Sequence, residues 1–217
     1  MLWAVLFDFD GTLVDTTEMI HQSMKHATSS VLGREDIPRE TLLANVGQPL
    51  PRQMELIDAE KAELLLEAYR SHHEQHHDAL IGEFPVVEES LARLGSAGIK
   101  VAVVTSKRRL SVEMALSNFP GLRNVVDRFV TLEDTTEHKP HPEPLLKGLE
   151  LAGNVPKDRA VYVGDSPFDV QAAKAAGLTS VAVSWGAFSE DTLREANPDH
   201  LVPDLDAVVD VLLELET

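Results

Sequence analysis

The sequence predicts an α/β protein: a parallel sheet with helices on both faces, interrupted near its start by an all-helical insert. Three observations carry this. The runs Leu2–Phe7, Val101–Val104 and Ala160–Val163 are short and almost wholly apolar, and each ends abruptly in acids or hydroxyls. That is how strands buried on both faces read. Stretches with helical spacing of apolar residues separate these runs, and residues 16–82 hold no strand run at all.

The first strand ends in Asp8-Phe9-Asp10-Gly11-Thr12-Leu13-Val14-Asp15. Two carboxylates two residues apart at a buried sheet edge repel each other and lose hydration. Folding alone does not select that, so a cation or a reaction is implied. The carboxyl end of a parallel strand is also where open α/β sheets place their ligands. Gly11 permits a sharp turn there. The insert follows, with Met19, Ile20, Met24 and Ala27 at helical spacing, a helix start at Pro38, a break at Gly47-Gln48-Pro49-Leu50-Pro51, and a long helix from Ala59 to about His77 with Leu64, Leu65, Ala68 and Tyr69 as its apolar side. His73-Glu74-Gln75-His76-His77 fits His-Glu-x-x-His, but it is short, and His72, His73, His76 and His77 read as a helix end rather than a zinc peptidase site.

The core resumes with a helix over Val86–Leu94 and the strand Lys100–Val104, which ends in Thr105 and Ser106. A helix at 109–119 and a strand over Val125–Thr131 follow. Then come His138-Lys139-Pro140-His141-Pro142 and a further buried strand ending in Gly164-Asp165-Ser166-Pro167-Phe168-Asp169. A helix to Ala176 closes at Gly177, Thr179–Val183 is a strand, and a short strand at His200–Val202 with a final amphipathic helix completes the chain.

The composition narrows the function. The 217 residues carry 19 basic and 36 acidic side chains, a formal net charge of -17. Nucleic acid is a poor partner for such a surface, because phosphate backbones need clustered lysine and arginine. An anionic substrate would meet general repulsion that a bound cation or a few placed basic groups must overcome. The absence of cysteine removes disulfides, thiolate nucleophiles and thiolate metal sites. No signal peptide and no membrane-length apolar run is read, so a soluble cytoplasmic protein is expected; no oligomeric state is legible.

The four segments around Asp8, Thr105, Lys139 and Asp165, each closing a strand or leading a helix, resemble in content and order the four motifs of the haloacid dehalogenase-like hydrolases. The resemblance spans nearly all the chain outside the insert. It implies a Rossmann-like core at residues 1–15 and 83–217, with residues 16–82 as a helical cap that closes over the site. It implies Asp8 as nucleophile, Asp10 as general acid and base, and Thr105, with Ser106 beside it, as a phosphate ligand. Lys139 would neutralise Asp8 and the phosphoryl group. Mg²⁺ would lie between Asp8, Asp10 (through its carbonyl) and Asp165. Asp169 would orient a metal-bound water, hold Lys139 or cap its helix. Arg52, after the Gly/Pro loop, is a candidate for a substrate anion and equally a surface arginine. Asp10 argues against halide displacement. The implied activity is hydrolysis of a small phosphorylated metabolite, with the cap segment similar to the pyrophosphatase branch close to phosphoglycolate phosphatases. A β-phosphoglucomutase-like phosphosugar mutase and a non-catalytic phosphometabolite-binding protein stay open.

Overall fold

The structure, a computed structural model, describes residues 2–215. The chain opens with β1 (Ala4–Phe7) and a two-residue strand β2 (Val14–Asp15). Four helices follow: α1 (Thr17–Leu32), α2 (Arg39–Leu43), α3 (Leu50–Ile57) and α4 (Ala62–Leu80). The strand β3 (Gly82–Glu83) then pairs antiparallel with β2, so the chain leaves for the insert and returns from it side by side. The rest alternates: α5 (Val87–Ser96), β4 (Lys100–Val104), α6 (Arg109–Asn118), α7 (Leu122–Val125), β5 (Arg128–Val130), α8 (Glu143–Leu151), β6 (Ala160–Gly164), α9 (Pro167–Ala176), β7 (Thr179–Val183), α10 (Glu190–Glu195), β8 (His200–Val202) and α11 (Leu205–Glu214).

Six strands form one parallel sheet in the order β5-β4-β1-β6-β7-β8. The order reverses at β1, which is the central strand flanked by β4 and β6. Side chains alternate across the pleat. Val5, Phe7, Val101, Val103, Val161 and Val163 face one layer with Leu91 and Leu94 of α5, Ala115 of α6 and Val208 and Leu212 of α11. Leu6, Ala102, Val104 and Tyr162 face the other layer with Leu145 and Leu149 of α8 and Ala172 and Ala173 of α9. The crossover helices thus cover both faces, as parallel connections require. The carboxyl ends of β1, β4 and β6 meet at the switch point, the place where such sheets form a ligand crevice. Among the described residues no helix is long and apolar enough to cross a membrane.

The insert has its own apolar cluster, with Met19, Ile20, Met24 and Ala27 of α1, Met54 of α3, and Leu65, Leu66 and Tyr69 of α4; Ala187 and Phe188 of the sheet domain pack against it. Three elements differ from the sequence reading. The stretch before β5 is partly helical: Val125 ends α7, and the strand begins only at Arg128. On α4 the buried side contains Leu66, while Leu64 is exposed, because the phase is set by what the helix lies on. Of the four histidines only His77 lies in the last turn of α4. The helix continues to Leu80, and Leu65, Tyr69, His73 and His77 form one buried stripe at four-residue spacing.

Leu91 is fully buried between α5 and the sheet. Leu91→Ala should lower unfolding free energy by roughly 2–5 kcal/mol, read as a shift in urea midpoint without a change in slope.

Candidate active site

Four chain segments deliver polar side chains to the crevice at the carboxyl ends of β1, β4 and β6. Asp8 follows β1 directly and is 3% exposed; Lys139, in the loop before α8, is 2% exposed; Asp165 follows β6 and Asp169 lies in the first turn of α9, each 1% exposed. Lys139 Nζ donates to Asp8 Oδ1 at 2.8 Å, to Asp169 Oδ1 at 2.7 Å and to the Tyr162 hydroxyl at 3.0 Å. Asp169 is held at both oxygens. Its Oδ1 accepts from Lys139 and Tyr162, and its Oδ2 accepts from the backbone N–H and hydroxyl of Ser166, the N-cap of α9. Gly164 is required beside it, since a Cβ there would lie 2.5 Å from Asp169 Cγ.

Asp165 accepts one hydrogen bond, from the Ala187 N–H at 2.9 Å. Gly11 and Gly186 stand against it, and a Cβ at either would lie 2.4 or 2.1 Å from its Oδ2. Gly11 also has φ +72°, a conformation that favours glycine. The Trp185 indole N–H donates to the Thr12 carbonyl and ties this loop to the turn after β1.

One oxygen from each of Asp8, Asp165 and Asp169 lies within 4.8 Å of the others. One ammonium serves three buried carboxylates. Burial pushes the Asp165 carboxyl well above its ordinary range, with Asp169 and Asp8 adding to it. Asp8 is raised too, by burial first, with Lys139 pulling the other way. Burial alone would lower Lys139, but Asp169 and Asp8 outweigh it and hold the ammonium charged. A hard, oxygen-preferring divalent cation fits this donor set and would supply the missing positive charge. Asp165, with a single bond to its carboxylate, has capacity for it; Asp169 is already committed to Lys139, Tyr162 and Ser166.

The other sequence-derived residues are placed as follows. Asp10 lines the cavity, and its Oδ1 accepts from Lys107 Nζ at 2.6 Å, a partner absent from the sequence reading. Thr105 is buried beside the cavity; its Oγ1 accepts from the Lys107 N–H, which leaves the hydroxyl proton to donate. Ser106 also lines the cavity, but its hydroxyl donates to the Gly47 carbonyl at 2.7 Å, and so ties the Gly/Pro loop of the insert down on the crevice. Gly47, at φ +100°, approaches so closely that a Cβ would meet Ser166 Oγ at 2.5 Å. Arg52 is turned away. It pairs with Glu55 at 2.9 Å on the exposed side of α3, with its side chain 56% exposed, and it does not line the cavity. The reason is helical phase: α3 buries Gln53 and Met54, which leaves Arg52 facing solvent with the residue three further on.

The cavity between insert and sheet, partly open to solvent, measures about 80 Å³. Its roof comes from Val46, Gly47, Gln48, Tyr69, Arg70 and His73; the family resemblance implies that the Gly/Pro loop at residues 47–51 reaches toward the site, whereas Val46, Tyr69, Arg70 and His73 have no such signal in the sequence. His73 is held neutral, its pKa pushed down to about 3 by burial and then by Lys107. Tyr162 also escaped notice. A tyrosine inside an apolar strand was the available signal, since a buried phenol needs a polar partner.

The haloacid dehalogenase-like hydrolase family profile matches residues 5–183. The chain belongs to this family. A protein of Caldanaerobacter subterraneus subsp. tengcongensis that carries the PpaX name is 42% identical over 202 residues, covering 93% of this chain and 90% of its own length. The pyrophosphatase PpaX of Bacillus mycoides is 36% identical over 208 residues, covering 96% of this chain and 95% of its own. Among solved structures, a predicted phosphatase from Clostridium acetobutylicum superposes with a TM-score of 0.86 at 26% identity, covering 99% of this chain and 100% of that one. The haloacid dehalogenase-like chain described here is therefore a phosphatase-type enzyme on the PpaX branch.

Because burial, and then Asp169 and Asp8, disfavours an ionised carboxylate at Asp165, Asp165→Asn should raise the melting temperature of metal-free protein at neutral pH. Mg²⁺ at a hundredfold excess over its Kd should stabilise the wild type by about 2.7 kcal/mol, roughly 5–10 °C for a chain of this size. The Asn variant should lose that increment. Scanning calorimetry with and without Mg²⁺ checks both parts.

Proposed function

We propose that this chain is a Mg²⁺-dependent phosphohydrolase of a small phosphorylated substrate, inorganic pyrophosphate first, acting through a phosphoryl group carried on Asp8. The observation that supports it is the buried Lys139 bound to Asp8 and Asp169, with Asp165 within 4.8 Å, at one wall of a small cavity. The PpaX relatives support the choice of pyrophosphate, which those proteins are named for.

In this reading Asp8 and Asp165, with the Asp10 carbonyl, would hold Mg²⁺, which would offset negative charge on the phosphoryl oxygens. Lys139, bonded to Asp8 Oδ1, would offset the same charge while keeping the Asp8 carboxylate in place. Thr105 donates its hydroxyl to a phosphoryl oxygen. Asp8 then attacks phosphorus in line; the Asp8 oxygen–phosphorus bond forms as the bond to the leaving oxygen breaks. Asp10 gives that oxygen its proton. Water next attacks the aspartyl phosphate, Asp10 takes the proton back, and the phosphorus–Asp8 bond breaks to release phosphate. Asp169 acts through Lys139 as a positioning residue. Residues 16–82 serve as a cap that excludes water, with Ser106 and Gly47 as one latch point.

The cavity volume favours a small anion. About 80 Å³ is far below the several hundred Å³ of pockets that enclose drug-sized ligands.

A phosphate-release screen in Mg²⁺ over pyrophosphate, phosphoglycolate, sugar phosphates and nucleotides tests the reading. Pyrophosphate should be the best substrate, EDTA should abolish release and Mg²⁺ restore it. Asp8→Asn should lower kcat by about 10³-fold or more, the scale of losing a nucleophile. Full activity in Asp8→Asn would remove the covalent step; stoichiometric binding with no phosphate released would favour the non-catalytic protein instead.

A further inference from the structure

The cavity is lined by four strong cations, Arg70, Lys107, Arg108 and Lys139. Three are already paired: Lys139 with Asp8 and Asp169, Lys107 with Asp10, and Arg108 with Glu74 of α4. Arg70 is different. Its Nε is buried without a hydrogen-bond partner, and no described acid forms an ion pair with it. This occurs in a chain with 36 acidic residues, where Arg39, Arg52, Arg93, Arg109, Arg123 and Arg194 each hold a carboxylate. Glu67 and Glu74 even stand three and four residues from Arg70 on the same helix, the spacing at which pairs form. Glu74 instead takes Arg108. A half-buried guanidinium with a dry, unsatisfied donor costs stability unless something anionic completes it.

Arg70 also borders an outer groove, but that groove carries Glu63, Glu67 and Glu74 and repels anions, which leaves the cavity side for a free anion to meet it. Lys139 and the acids of the sheet edge form one wall, where the transferred phosphoryl group would sit; Arg70, on α4, belongs to the roof. The cavity is small enough that one ligand touching both walls needs only two anionic groups a few bonds apart. His73, one turn along α4 and neutral, adds ring nitrogens with no described hydrogen-bond partner beside it.

We propose that Arg70 is a specificity-determining residue of this site, pairing with the second anionic group of a substrate whose first group is transferred. The site then takes small bis-anions, a diphosphate or a phosphocarboxylate, in preference to phosphate esters of neutral groups. This rests on the phosphohydrolase reading above and names its substrate class. The guanidinium fork suits either a phosphate or a carboxylate.

Two non-hydrolysable probes test it by titration calorimetry on the full chain in Mg²⁺: methylenediphosphonate, with two anionic ends, and methylphosphonate, with one. Arg70→Gln should weaken the diphosphonate by roughly 10- to 100-fold, the scale of a lost charge-assisted bond, and methylphosphonate by less than about threefold. Arg70→Lys, which keeps the charge without the fork, should fall between, and melting curves of both variants separate lost binding from lost fold. Equal losses on both probes, no loss on either, or no diphosphonate binding by the wild type overturns the proposal. Phosphate release from pyrophosphate and from phosphoglycolate identifies the second group, as the substrate whose kcat/KM falls further in Arg70→Gln. No release from any substrate, with diphosphonate binding still dependent on Arg70, defeats the hydrolase reading and leaves the anion subsite standing. Release that persists while the probes ignore Arg70 does the reverse.

Discussion

The Lys139 ammonium, wedged between Asp8 and Asp169 with under 5% of any of the three exposed, is the interaction on which the rest of the site depends. Burying carboxylates is costly, and removing one partner of such a buried pair typically costs about 3–5 kcal/mol because the other charge is left without an answer. The protein keeps the arrangement in part by supplying Asp169 with further hydrogen bonds, from Tyr162 to one oxygen and from Ser166 to the other. What stays uncompensated is concentrated at Asp8 and Asp165. The site is therefore built with a deficit of positive charge, which a divalent cation between these carboxylates would offset.

The same logic extends outward. A surface with a net charge of -17 repels anions, yet the cavity collects Lys107, Arg108, Lys139 and Arg70 on its walls. Field lines in a small, water-poor space act at full strength, whereas the surface charges are screened within about 8 Å at physiological salt. The insert contributes to both halves of this arrangement. It brings Arg70 and His73 to the roof, and its Gly47 loop lies close enough to Ser106 and Ser166 that only glycine fits. The paired strands β2 and β3 put both ends of the insert at one point, so its helices attach to the sheet through a narrow two-stranded neck.

Much of this was legible in the residues. Strands buried on both faces must be apolar, so a sudden carboxylate at the end of such a run marks the sheet edge and the chemistry together; Asp8 and Asp165 stand out that way, whereas Thr105 closes a strand as any helix-leading hydroxyl could and is singled out only by the family resemblance. Lys139 sits in a loop among prolines, with no strand of its own, and only the order of the other segments singled it out. Arg52 illustrates the opposite case. A basic residue after a Gly/Pro loop has no local feature that says which way it points, and the phase of α3 turned it to Glu55 and solvent. Ser106 reached the cavity, but its hydroxyl went to a carbonyl 59 residues away. Arg70 and Lys107 were overlooked because each stands in a polar run that reads as an ordinary solvated surface.

By itself the sequence determined the class of the fold, the alternation of strands and helices, the place of the insert and the residue types at the strand ends. These follow from burial and periodicity, which act over a few residues at a time. Tertiary structure alone decided which cations meet which acids. Asp8 and Lys139 are 131 residues apart, and Arg108 reaches across to Glu74 on another body of helices. Charge pairing depends on distance in space, and no local pattern in the chain encodes that distance.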